Sequence, residues 1–220
     1  MIDVEGVSKV YTNENVTVRA LDNVSVSIGD SDFVLIVGRS GSGKSTLLSI
    51  LGGLTRPTAG VIKFEGEDIW SMNDVRLSAL RSKEMGFVFQ FPGLLPTLTA
   101  LENVMVPGLF SRRKEDATKR ASELMESLGL GDKFRSYPHQ LSGGELKRTA
   151  IARSLFNDPS VILADEPTGD LDADTEIEIM NLIKTVNQRG KTIIMVTHNP
   201  ELSVFAKRVL RMEKGRLKEV

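Results

Sequence analysis

Apolar positions along the chain follow two periods. Phe33-Val34-Leu35-Ile36-Val37, 160–164 and 192–196 are short apolar runs dense in β-branched residues, which predicts strands buried on both faces. Val24-Ser25-Val26-Ser27-Ile28 alternates strictly and predicts a half-buried strand. Ile2, Val4 and Val7 suggest another, as does Val61-Ile62-Lys63-Phe64. So few residues separate these pieces that antiparallel pairing is expected. Met85 to Phe89 predicts a strand ending in Gln90. Helical spacing covers 46–51, 73–83, 99–110 and 115–128, and a segment opening at Ser142 with Leu146, Ala150, Ile151 and Leu155 inward. Ala173 to Gln188 follows, with Ile177, Met180, Ile183 and Val186 inward. Residues 208–212 and 216–218 predict a hairpin around Glu213-Lys214-Gly215. Strands alternating with helices give an α/β chain with a mostly parallel sheet.

Composition narrows the class. The 220 residues are 40% hydrophobic and 26% charged, an ordinary globular balance. A net charge of −1 offers no global attraction to nucleic acid or an anionic membrane. No cysteine is present, which excludes disulfides and thiolate metal sites. No run of 18 apolar residues occurs, so no membrane span is expected. Met1-Ile2-Asp3-Val4-Glu5 is acidic and alternating, unlike a signal peptide.

The candidate chemistry starts at Gly38-Arg39-Ser40-Gly41-Ser42-Gly43-Lys44-Ser45, which fits the phosphate-loop pattern between a strand and the helix opening at Thr46. Glycines let successive N–H groups form a concave anion nest at a helix N-terminus. Lys44 supplies a point charge for β- and γ-phosphates and Ser45 a hydroxyl for Mg²⁺. The motif points to a nucleoside triphosphate without saying what its energy drives.

Four further stretches stand out. Leu141-Ser142-Gly143-Gly144-Glu145 opens a helix with Ser142 as N-cap and Glu145 three residues on, a capping box. Its two glycines, which capping does not need, fit a second helix N-terminus built to receive phosphate. Asp165-Glu166 after an apolar strand supplies one acid to hold Mg²⁺ and a second to orient or deprotonate water. His198 lies just beyond a strand end, where open α/β sheets bind ligands. Phe91-Pro92-Gly93-Leu94-Leu95-Pro96 is apolar yet irregular, since proline lacks a donor. It either packs inside the domain or serves as a docking site. Tyr11 is either a packing residue or a face that stacks on a purine ring, and Arg112-Arg113-Lys114 reads as a solvated basic turn.

In this order the residues resemble the nucleotide-binding subunit of ATP-binding-cassette transporters over essentially the whole chain. Gly38–Ser45 resembles the Walker A motif, Gln90 the Q-loop glutamine, 141–145 the family signature and 161–166 Walker B. Asp170-Leu171-Asp172 resembles the D-loop, His198 the switch histidine and Tyr11 the adenine-stacking aromatic. Residues 91–103 and 165–172, with a signature ending in Glu, are similar to the branch of lipoprotein-release, macrolide-efflux and cell-division ATPases. Glu145 stands where the commonest signature has Gln, and Asp170 where the branch usually has Asn.

The resemblance implies a phosphate-loop NTPase core with a mostly parallel sheet, an N-terminal antiparallel β subdomain and an inserted helical subdomain. The core would take 1–90 and 158–220, and the helical part 91–157. It implies ATP held by Tyr11, Gly38, Arg39, Ser40, Gly41, Ser42, Gly43, Lys44, Ser45 and Thr46. Ser142, Gly143, Gly144 and Glu145 of a second, head-to-tail copy would close each site. Ser45, Gln90 and Asp165 would serve Mg²⁺; Glu166, His198, Lys44 and Gln90 would serve catalysis. Membrane permease subunits would dock near Phe91, Leu94 and Leu95, with no nucleic-acid partner and a place on the cytoplasmic face of the inner membrane. The alternatives are a non-transport ATPase of the same fold in a regulatory or DNA-associated complex, and a non-catalytic adapter. The first would need a coiled-coil insertion or a tandem copy, and neither is present; the second would not need Lys44, Asp165, Glu166 and His198 together.

Overall fold

In the computed structural model, described over residues 1–13, 16–110 and 116–220, two sheets enclose the helix that follows the glycine loop. β1 (Ile2–Asn13) pairs antiparallel with β2 (Val16–Ile28) on one side and β4 (Ala59–Phe64) on the other. The two-residue β5 (Glu67–Asp68) extends this sheet. Antiparallel pairing of the short N-terminal pieces was expected; the strands are longer than the pattern shows. Tyr11 lies within β1 opposite Val18, at a hairpin end where both strands stay exposed.

The second sheet runs β10-β9-β3-β8-β7-β6. It contains β3 (Phe33–Val37), β6 (Met85–Val88), β7 (Val161–Asp165), β8 (Thr192–Thr197) and the hairpin β9 (Arg208–Glu213)–β10 (Arg216–Glu219). All pairings are parallel except β9 with β10. Apolar residues on its inner strands sort by parity. Val34, Ile36, Leu163, Ile194 and Val196 join the core beneath the antiparallel sheet, and Phe33, Leu35, Ile162, Ile193 and Met195 join the core on the opposite face. Burial on both faces is why these strands read as continuous apolar runs.

α1 (Lys44–Leu51) packs Leu47, Leu48, Ile50 and Leu51 into the first core. α6 (Ala173–Gln188) packs against the second together with α3 (Ala100–Met105), α4 (Ala117–Ser127) and α5 (Gly143–Leu155). α2 (Asp74–Glu84) is capped by Asn73. Two predicted helices change. The 99–110 helix is α only to Met105 and continues as 3-10 turns to Phe110, because Pro107 has no N–H to donate back to Asn103. In α6 Ile177 faces solvent and Ile179 is buried instead. The Glu-Ile-Glu-Ile run at 176–179 offered both phases to the core. The basic turn at 112–114 and Glu115 lie outside the described residues. Among those described, no helix is long and apolar enough to cross a membrane.

Candidate active site

Strand order places the chemistry. β8 lies between β3 and β7, with Val37 opposite Thr197 and Asp165 opposite Val196. The C-terminal ends of β3, β8, β7 and β6 therefore share one edge, which carries the glycine loop, His198, Glu166 and Gln90 in that order. Open parallel sheets bind ligands at this edge.

The loop leaves β3 at Gly38, whose N–H donates to Thr197 O at 3.2 Å. It packs against both sheets. A Cβ on Gly43, at φ 109°, would meet Ala20 O of β2 at 2.3 Å, so only glycine fits. Arg39, Ser40, Gly41 and Ser45 face solvent, Thr46 is half-buried, and Ser42 and Lys44 are buried. The Ser42 Oγ is buried without a hydrogen-bond partner, a cost of about 1–3 kcal/mol unless something else satisfies it. Gly43 at the N-cap of α1 offers no side-chain cap. An orphaned hydroxyl beside an uncapped helix N-terminus fits an anionic ligand.

Lys44 Nζ donates to Gly38 O at 2.8 Å and Arg39 O at 3.2 Å, and lies 3.7 Å from Glu166 Oε1. Ser45 Oγ donates to Asp165 Oδ1 at 2.9 Å. These hydroxyl and carboxylate oxygens are the hard donors that suit Mg²⁺. Among the described residues no cluster of three or more His, Cys, Asp or Glu could cage a metal, so the pair suits an ion shared with a phosphate. Burial pushes the Asp165 carboxyl above its ordinary range. The Glu166 charge adds to this, and the Ser45 hydrogen bond and Lys44 oppose it.

Glu166 follows β7 in a left-handed conformation at φ 46°, unusual for a side-chain-bearing residue. Its Oε2 accepts from Thr197 Oγ1 at 3.1 Å, His198 N at 3.2 Å and His198 Nδ1 at 2.9 Å. An ionised carboxylate can only accept, so Nδ1 carries the ring proton in this contact. Glu166 is thus fixed through one oxygen, while the His198 side chain is 66% exposed. Gln90 follows β6, and a Cβ on Gly169 would lie 3.5 Å from its Nε2, so it packs against the turn after Glu166. Tyr11 is 44% exposed, with Lys9 Nζ 4.9 Å from its ring centroid.

The second candidate anion site is at the start of α5. Ser142 Oγ accepts from Glu145 N at 3.3 Å and Glu145 Oε2 accepts from Ser142 N at 2.8 Å, the predicted capping box. Gly143 packs near Leu171, and a Cβ on Gly144 would lie 2.8 Å from Thr175 Cγ2. The Glu145 side chain therefore points back along its own helix. Asp170, in a left-handed conformation, precedes Leu171.

Three residues of this site were not singled out by the sequence. Thr197 reads as one more β-branched core residue, yet its hydroxyl holds Glu166. Lys147 is buried and donates to Gln90 O, tying α5 to the second residue after β6. Lys133, in the loop before α5, lies 3.3 Å from Glu145 Oε1. A charged residue at a buried helical position, as Lys147 is in the pattern of α5, was the one usable signal.

Residues 21–169 match the ABC transporter family. The whole chain is 46% identical to an uncharacterized ABC transporter ATP-binding protein of Thermotoga maritima, covering 94% of it. Over 90% of the chain it is 48% identical to the lipoprotein-releasing system ATP-binding protein LolD of Aquifex aeolicus, covering 88% of that protein. A dimeric ATP-binding cassette solved in a post-hydrolysis state with ADP and Pi superposes with a TM-score of 0.93 at 40% identity, over 100% of this chain and 98% of that one. The chain belongs to the ABC transporter family, as an ATP-binding cassette.

Proposed function

We propose that this chain binds and hydrolyses ATP with Mg²⁺, and that two copies close head to tail around two ATP molecules to drive membrane permease subunits. The observation that carries the reading is the meeting of Ser45 with Asp165 at 2.9 Å beside Lys44 and Glu166 at 3.7 Å, across residues 120 positions apart. Bound Mg²⁺ would supply positive charge that neutralises phosphate oxygens. Ser45 and Asp165 would hold it, with Gln90 added from β6. Lys44 would exchange its two loop carbonyls for phosphate oxygens. Glu166, held through Oε2, keeps Oε1 to accept a proton from the attacking water. His198, bonded to Glu166, would turn its exposed ring to the γ-phosphate. Tyr11 would stack on the base.

The dimer reading rests on arithmetic of ends. Among the described residues there is one phosphate loop and one further glycine-opened helix N-terminus, on different elements, and each is half of an anion site. Ser142 and Gly144 would meet the phosphates of the other copy. Residues 91–157 would move as a helical unit on a core of 1–90 and 158–220. Phe91 at 75% exposed and Leu95 at 47%, with half-buried Leu94, form the apolar surface for a membrane subunit, with the chain peripheral on the cytoplasmic face. The output is export, lipoprotein release or mechanotransmission, of which lipoprotein release is the one that the name of the LolD relative matches.

Glu166→Gln tests this. With ATP the variant should run as a dimer in light scattering and lose turnover; without ATP it should run as a monomer. A variant that stays monomeric in ATP and hydrolyses like the wild type overturns the reading.

A further inference from the structure

We infer that Lys133 is a positioning residue for nucleotide closure: it neutralises Glu145, so that the start of α5 can accept phosphate although a carboxylate stands in its first turn. This rests on the dimer reading above. A carboxylate in the first turn suits a free helix, because it complements the positive end of the dipole. It opposes a second anion arriving at the same end. At a helix N-terminus facing a triphosphate, Glu145 is therefore the one group of its segment with the wrong charge.

The structure shows how that charge is disposed of. Oε2 of Glu145 is taken by the Ser142 N–H at 2.8 Å. Oε1 faces Lys133 Nζ at 3.3 Å. The pair is half-buried, with side chains 30% and 18% exposed, where solvent screens less than at an open surface. Lys133 also lies 3.3 Å from Asp132 Oδ2, so its removal would leave two carboxylates near the same helix end. The turn holding it is fixed: Lys133 N donates to Leu130 O at 3.0 Å, and Ser136 N donates to Lys133 O at 3.0 Å. The same box directs the Ser142 hydroxyl. Its oxygen accepts from Glu145 N at 3.3 Å, which leaves its proton free to donate outward. Glu145 so held orients the cap and is not itself a nucleotide contact.

The test uses ATP-driven dimerisation of the full chain in the Glu166→Gln background, read as the ATP concentration giving half dimer by light scattering. Lys133→Met should raise that concentration about fivefold, the upper end of what one solvent-accessible ion pair is worth. Lys133→Arg, which keeps the charge, should stay within about twofold. Adding Glu145→Gln to Lys133→Met should bring the value back to that of Glu145→Gln alone, a coupling that a purely structural role for Lys133 would not produce. The inference is overturned if Lys133→Met matches its parent, or if the double variant is as impaired as Lys133→Met. If the Glu166→Gln parent itself never dimerises with ATP, the dimer reading falls and takes this inference with it.

Discussion

Replacing Thr197 by Val should separate catalysis from binding. Thr197 is the last residue of β8, is 1% exposed and stands between the loop strand and the acid strand. Val keeps the shape and the β-branch, so the core around it loses no volume. The hydroxyl is lost, and with it two contacts. Thr197 Oγ1 donates to Glu166 Oε2 at 3.1 Å and accepts from Asn199 N at 3.1 Å. The first is a hydrogen bond to a charged acceptor, worth about 1.5–3 kcal/mol. If Glu166 must be held for its other oxygen to take a proton from water, that loss appears in the transition state, as roughly a tenfold to hundredfold fall in kcat. Lys44, Ser45 and the loop are untouched, so KM for ATP should hold. Both contacts exist in the nucleotide-free fold, so their loss also costs about 2–4 kcal/mol of stability, or a Tm lowered by at least about 5 °C in a chain of this size. Phosphate release against ATP concentration and a thermal melt without nucleotide measure both. An unchanged kcat refutes the positioning role. A raised KM with normal kcat shows that Thr197 serves binding instead.

Two further substitutions test the site from other directions. Asp165→Asn should abolish Mg²⁺-dependent turnover yet stabilise the nucleotide-free chain near neutral pH. A carboxyl held above its ordinary 3.8 by burial leaves the fold most stable below that pH and weakens it as pH rises through the folded value. Thermal melts should show the gain of Asp165→Asn at pH 7 and its disappearance in acid; equal gains at both would refute the burial argument. Gly43→Ala puts a Cβ 2.3 Å from Ala20 O at φ 109°, whereas Gly41→Ala at φ 75° meets open space. The first should cost at least about 2 kcal/mol and the second about 1 kcal/mol in denaturant unfolding; equal costs would show that backbone strain alone matters.

The sequence reads most clearly where burial is simple. Strands covered on both faces announce themselves as apolar runs, and 38–45, 141–145 and 161–166 each need fixed residue types in fixed order. Reading fails where a residue's partner is distant. Glu145 reads as a capping residue from three neighbours, but its pairing with Lys133 depends on how the 130–141 loop returns to α5. Thr197 satisfies strand propensity so well that its hydroxyl leaves no trace in the pattern. Ile177 and Ile179 differ only in phase, and the packing of α6 decides between them. Tyr11 is hidden for the opposite reason: the hairpin end it shares with Val16 and Val18 has no buried side, so apolar residues there mark no core face.

The polar groups at the sheet edge occupy one another. Lys44 rests on two loop carbonyls near Glu166, Ser45 on Asp165, and Glu166 on Thr197 and His198. Glu145 rests on Ser142 and Lys133. Among the loop's buried side-chain polar atoms, Ser42 Oγ stands without a partner. A ligand entering this site finds the Ser42 hydroxyl and the uncapped start of α1 waiting, but Lys44, Ser45 and Glu166 must exchange partners, and that share of its affinity is the difference between two sets of contacts. Groups that already hold a charge partner lose little on exchange, which keeps the empty site folded. The same economy makes closure sensitive to any residue that sets the competing contact, even one that never touches the ligand. Lys133 and Thr197 are residues of that kind, one at each end of the site, and their substitution should alter when the site closes or how it reacts without removing a single ligand-binding atom.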